Sequence, residues 1–201
     1  MNLHFEIFLE EPSAEAFIME AWPRICPAEA TCQTHAFQGK QELLAQLPGQ
    51  LKAMAKWIPD NFRIVVLLDE DRQDCAALKN TLERMSLEAG LGTLTAPGRG
   101  ARVANRIAVE ELEAWMLGDP KALRAAFPKL PATFENAAAL RNPDAVKGGT
   151  WEALERLLQK SSYYLGGLAK VDCARSVAAH IDPDRNASRS FKIFHSGLHR
   201  L

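Results

Sequence analysis

Residues 62–68, Phe-Arg-Ile-Val-Val-Leu-Leu, form a nearly unbroken apolar run that stops abruptly at Asp69-Glu70-Asp71. A run this short and rich in β-branched residues reads as a strand buried on both faces. Such a strand needs helices above and below it, which restricts the fold to a parallel α/β arrangement. The following residues agree. A helix is expected over about 74–89, with Asp74 available as its cap and Gly90 as its stop.

The rest of the first half repeats this alternation. Residues 3–9 read as a strand stopping at Pro12, with Ser13 capping a helix over about 14–22. Residues 31–37 are a second candidate strand, and 40–57 are helical in spacing with a break expected at Pro48-Gly49. Short strands are expected at 91–95 and 105–109, separated by the loop Pro97-Gly98-Arg99-Gly100. A helix over 110–117 closes at Gly118-Asp119-Pro120. Beyond it only helical segments stand out, at 151–160 and 171–180, with a loop at 142–150. The expected architecture is therefore α/β, a mostly parallel, Rossmann-like sheet flanked by helices. Residues 1–119 form the core and 120–201 a helical extension packed on it, compact as one domain.

Composition narrows the function classes. The chain has 201 residues, 47% of them hydrophobic, and a formal net charge of −1. A uniformly basic nucleic-acid coat is excluded, whereas a local basic patch is not. Glu6, Glu10 and Glu11 interrupt the first apolar run, so no signal-peptide pattern is present, and no stretch reaches the ~20 apolar residues of a membrane helix. A cytoplasmic location without membrane contact is expected. Cys26, Cys32, Cys75 and Cys173 form no Cys-x-x-Cys pair and read as reduced thiols.

Ligands of open parallel sheets bind beyond the carboxyl ends of the strands. Glu10 and Glu11 fall at the end of the first strand, Asp69 and Asp71 at the end of the central one. In an extended Asp-x-Asp, both side chains face the same way, so both can meet one cation. Hard oxygen donors without His or Cys favour Mg²⁺ or Mn²⁺ over zinc. Acidic residues at strand ends also cap helices or face water, and Asp74 has that simpler role. A third acidic group, Glu110, Glu111 and Glu113, opens a helix, where glutamates suit the dipole. Glu113 should point away from Glu111, so one of the two would serve an ion, and Glu111 is the preferred candidate.

The residues 5–13, Phe-Glu-Ile-Phe-Leu-Glu-Glu-Pro-Ser, followed by Leu67-Leu68-Asp69-Glu70-Asp71, resemble the Toprim pattern of a glutamate ending one strand and Asp-x-Asp ending a later one. That pattern occurs in topoisomerases, DnaG-type primases and nucleases of the overcoming-lysogenization-defect (OLD) type. Over nearly its full length the chain also resembles the bacterial family called domain of unknown function 4276, grouped with Toprim-like proteins. The stretches 66–75, 105–119 (with Glu111-Leu112-Glu113-Ala114-Trp115) and 186–194 (Asn-Ala-Ser-Arg-Ser-Phe-Lys-Ile-Phe) carry that likeness. The resemblance implies a Toprim-like core with Glu10, Asp69 and Asp71 as catalytic residues. It further implies a possible ATPase partner of the AAA type in bacterial defence. Glu11 stands where Toprim proteins commonly have glycine. Some related nucleases use a second acid four residues on; counted from Glu10 that position is Ala14, which is no acid, and counted from Glu11 it is Glu15, so both registers stay open.

A phosphodiester substrate also needs cations. Arg99, Arg102 and Arg106 precede Val109 with no acid among them. Arg185, Arg189, Lys192, His195, His199 and Arg200 crowd the C-terminus. Ser188, Arg189, Ser190, Lys192 and Arg106 are the candidate phosphate-binding residues. His195 and His199 read as a surface pair. Lys147-Gly148-Gly149 lacks Walker A spacing, and the aromatics Trp115, Trp151, Tyr163 and Tyr164 fit core positions as well as base stacking. The expected function is a metal-dependent nuclease or related phosphodiester-processing protein acting on nucleic acid. The alternatives are a non-catalytic interaction or sensor subunit of an ATPase, and a phosphatase with Asp69 as nucleophile.

Overall fold

A computed structural model describes residues 2–71, 73–98, 100–136 and 138–201. Arg99, counted above among the cations, and Arg72 lie outside the described residues. Four parallel strands, β1 (His4–Leu9), β2 (Thr31–Ala36), β3 (Phe62–Asp69) and β4 (Val103–Ala108), make one sheet in the order β2-β1-β3-β4. The chain leaves β1 outward to β2, then returns past β1 to β3. That reversal places the topological switch point between the carboxyl ends of β1 and β3. In register, Leu9 pairs with Leu67, and Asp69 with Ala108.

Alternation along β1 and β3 sorts the core into two faces. Phe5, Ile7, Leu9, Val65 and Leu67 meet α1 (Pro12–Ile25), whereas Phe8, Ile64, Val66 and Leu68 meet α2 (Lys40–Met54) and α3 (Cys75–Glu88). The helices lie on opposite faces because the crossovers run in opposite directions from the switch point while keeping one hand. The second half adds α4 (Glu113–Leu117), α5 (Pro120–Ala126), α6 (Ala138–Arg141), α7 (Thr150–Lys160), α8 (Lys170–Ala178) and α9 (Arg189–Leu198). The buried cluster on the α1 face runs on without interruption into Cys173, Val177, Phe191 and Leu198, so these helices share the core of the sheet. Among the described residues, no helix is long and apolar enough to cross a membrane.

Several local expectations change. Pro12 opens α1, because proline suits the first helical position, and Glu11, not Ser13, is the cap residue; the Ser13 hydroxyl donates to its carboxylate. Pro48 does not break α2. Leu43, Leu47, Leu51 and Met54 lie along one buried face, and that packing carries the helix across the missing N–H. Pro48→Ala should therefore stabilise the fold by about 1–3 kcal/mol in urea unfolding. A loss of stability would show that the proline is a required bend. Of residues 91–95, only Thr93 bridges to the sheet, at Val103. Glu110 takes a left-handed φ of 63°, so the helix expected from 110 begins at Glu113.

The stretch 186–194 is a structural clasp. Asn186 is fully buried. It donates from Nδ2 to the Trp115 carbonyl at 2.8 Å, and its Oδ1 accepts from the Ser188 N–H at 2.9 Å. Gly118 lies so close that a Cβ there would overlap the Asn186 amide. Trp115 is core, in contact with Phe17, Phe191 and Phe194, with Nε1 donating to the Ser190 hydroxyl at 2.9 Å. Tyr163 and Tyr164 both pack on Phe127.

Candidate functional site

The switch point gathers the acids. Glu10 directly follows β1, and its Oε2 accepts the Asp69 N–H at the end of β3, 3.1 Å away. Strand-end placement thus brings Glu10 and Asp69 to one carboxyl edge. Burial first, then Glu113, Glu10, Glu11 and Asp71, hold the Asp69 carboxyl well above its ordinary pKa. Burial also raises Glu10; Lys40 and the Asp69 N–H oppose that rise, and Asp71 and Glu11 add to it.

Asp71 stands differently from expectation. The chain leaves the strand geometry after Asp69, and Asp71 adopts a φ of 54° while its N–H bonds the Glu110 carbonyl. The extended Asp-x-Asp alignment is therefore lost. The Asp71 carboxylate instead meets the Lys40 ammonium at 2.5 Å, at the start of α2. It stays near enough to raise Asp69 and Glu10, so it belongs to the rim of the cluster.

Between the two glutamates opening α4, the geometry favours Glu113. Glu111 Oε2 accepts the Thr150 hydroxyl at 2.8 Å and the Trp151 N–H at 2.9 Å, which makes it the anion at the N-terminus of α7. Glu113 does point away from Glu111, but inward. It is 1% exposed, and neither carboxylate oxygen has a hydrogen-bond partner. Its nearest cation is Lys170 of α8, 3.6 Å from Oε1. Burial pushes the Glu113 carboxyl up to about 7; Lys170 opposes this, and Glu111 and Glu11 add to it. Burial pulls the Lys170 ammonium down, but Glu113, Glu11, Glu111 and Asp69 outweigh it and leave its pKa raised. Sequence reasoning missed Lys170, since a lone lysine opening a distant helix carries no local signal.

Beside Asp71 a cavity of about 610 Å³ is lined by Gln73, Glu110, Glu111, Gly148, Gly149 and Glu152. The carboxyl edge is thus strongly acidic, with Lys40 and Lys170 set into it. The oxygen-only donors suit a hard divalent cation, and the unsatisfied Glu113 oxygens are what such a cation would satisfy. Even so, among the described residues no group of three or more His, Cys, Asp or Glu side chains stands ready-made to hold an ion.

The expected phosphate-binding residues divide. Ser188 and Ser190 are buried and committed: Asp144 accepts both hydroxyls, at 2.6 and 3.0 Å, and the Ser190 N–H at 2.9 Å. Ser188 also caps α9 through the Phe191 N–H. They hold a carboxylate of the chain itself where a phosphate was expected, because Asp144 reaches the N-terminus of α9. Arg189 and Lys192 are exposed on α9, and Arg106 is buried beneath it. His195 and His199 face each other, with Nε2 atoms 3.1 Å apart. All four cysteines are free thiols.

A family model matches residues 9–199, described as domain of unknown function (DUF4276). The chain belongs to this DUF4276 family. The match takes in the acidic edge from Glu10 to Glu113, Lys170 and the 186–194 clasp, so these DUF4276 features lie within a single family unit. No curated protein and no solved structure matches the chain.

Proposed function

We propose that this DUF4276 protein is a Toprim-like, metal-dependent phosphodiester-processing enzyme, most simply a nuclease, with Mg²⁺ or Mn²⁺ held by Glu10, Asp69 and Glu113 and flanked by Glu11 and Asp71. The observation that carries the reading is Glu113: a buried carboxylate at the acidic strand ends with both oxygens unsatisfied. Leaving such a group unpaired costs several kcal/mol in effective terms, and an acidic edge without a cation would repel a polyanion. A divalent ion would supply Lewis-acid polarisation of a phosphoryl oxygen. Lys40 holds Asp71 back from its neighbours, limiting repulsion at the rim. Lys170 neutralises Glu113 in part and stands where it can donate to an anionic oxygen of a bound phosphate.

A second reading has an observation of its own. The Asp71–Lys40 pair, and the lack of a ready-made ligand triad among the described residues, suit a non-catalytic subunit that docks on an ATPase, with nucleic acid met only through that partner. One experiment separates the two. Mn²⁺ should raise the Tm of the wild type by mass action, and Asp69→Asn combined with Glu113→Gln should abolish that rise together with any Mn²⁺-dependent cutting of DNA or RNA. Asp71→Asn alone should reduce the rise only partly. A double variant that still responds to Mn²⁺ as the wild type does places the ion elsewhere and sinks the enzyme reading.

A further inference from the structure

β4 is one of the two edge strands of the sheet, and α3 and α9 overhang its open side, leaving a cavity of about 480 Å³. The size falls in the range of small-molecule sites. Ile107, Val109 and Ile193 give it apolar walls, and Lys79, Arg106 and Arg189 give it cations. The Asn105 carbonyl at this edge accepts from Lys79 Nζ at 2.7 Å and from Arg106 Nη1 at 2.8 Å, so the strand edge is already closed to another strand.

Arg106 is the informative residue. It is 7% exposed, yet its guanidinium forms no carboxylate pair among the described residues. Two of its nitrogens donate to backbone carbonyls, Nε to Ile193 at 3.2 Å and Nη1 to Asn105 at 2.8 Å, and Nη2 has no hydrogen-bond partner among the described residues. The carboxylate that acts on it, Glu83, is engaged by Lys79, Thr95 and Asn105. A buried arginine normally meets an anion. The fold also makes room for it. A Cβ at Gly197 would overlap the guanidinium, so α9 carries a glycine in its interior, at about 1 kcal/mol of helix propensity, where Arg106 lies. Burial, with Arg200 next, pulls the Arg106 pKa below its ordinary value, as expected of a cation lacking a counter-charge. Arg189 adds a second guanidinium without an ion pair among the described residues. Among the described residues Asp144 is the one acid on the wall, and its oxygens are tied to Ser188 and Ser190.

We propose that this cavity binds a small organic anion, its acidic group on Arg106 and Arg189 and its apolar body against Ile107, Val109 and Ile193. The acid can be a carboxylate or a phosphate monoester; both present the planar or forked oxygens that guanidinium recognises. The site does not depend on the ion proposed at the Glu10–Asp69–Glu113 edge.

The test is calorimetry on the full chain in EDTA, which silences any metal-dependent event, with three probes: octanoate, adenosine 5′-monophosphate and inorganic phosphate. Octanoate or the nucleotide should bind at least tenfold more tightly than inorganic phosphate. Octanoate as the tighter ligand identifies a carboxylate amphiphile, and the nucleotide as the tighter one identifies a phosphomonoester of the kind a nuclease would release. Arg189→Ala, on the exposed face of α9, should weaken binding at least fivefold. Ile193→Glu, a half-exposed wall residue turned acidic, should abolish binding while the Tm stays near wild type. Because Arg106→Gln can disturb the fold, these two variants decide. No probe binding more tightly than inorganic phosphate, or wild-type affinity in both variants, overturns the proposal.

Discussion

Without divalent ions, Glu113→Gln should be more stable than the wild type at pH 8 and should lose most of the wild type's dependence on pH. The sign follows from the direction of the shift. The Glu113 carboxyl titrates near 7 in the folded protein, against an ordinary value of 4.5. Between these values the folded chain keeps a proton that the unfolded chain has released, so stability falls as pH rises from about 4.5 to about 7 and then levels off. That gap corresponds to about 3 kcal/mol, taken as an order of magnitude. Glutamine removes the charge while keeping the shape. Asp69 shifts in the same direction and should leave a residual slope. Urea midpoints at pH 5.5 and 8 in EDTA measure the effect. Equal slopes for the two proteins would mean that Glu113 finds solvent or a counter-charge in the folded state.

Asn186→Ala should cost about 2–5 kcal/mol, enough to threaten folding at 37 °C. The substitution orphans two buried backbone groups at once, the Trp115 carbonyl and the Ser188 N–H, each worth about 1–3 kcal/mol when left unsatisfied. It also leaves a void beside Gly118. Thermal unfolding should show a drop of many degrees, and near-UV circular dichroism should report loosening around Trp115. Arg189→Ala, within the clasp but exposed, is the control and should be nearly silent in stability. A mild effect for Asn186→Ala would mean that water replaces the amide and that the clasp is not what fastens α9.

The elements that sequence reasoning located are those with strong local signals. Residues 62–68 are apolar enough to fix a central strand, and Asp74 caps α3 through the Ala77 N–H as its position suggested. Glu10 and Asp69 could be placed together because strand ends share one edge in a parallel sheet. Other residues depend on contacts that no local pattern reveals. A helix read from Glu110 puts Glu111 and Glu113 in one first turn, whereas the left-handed turn at Glu110 delays the helix to Glu113. Asp71 needed to stay extended, and it does not. Ser188 and Ser190 read as phosphate donors because nothing near them in the chain discloses Asp144, which reaches them from over forty residues away. Pro48 reads as a breaker unless the buried leucine face of α2 is weighed against it.

The clasp at 186–194 has a consequence for the order in which a nascent chain becomes safe. β4 leaves the ribosome long before α9, the helix that covers it and completes the surroundings of Trp115. Until α9 emerges, the growing polypeptide carries an uncovered apolar face around Trp115, a feature that invites wrong association. Synthesis interrupted before Asn186 should therefore yield an aggregation-prone fragment rather than a smaller working protein. Chaperone dependence should be concentrated in the interval between translation of β4 and emergence of α9.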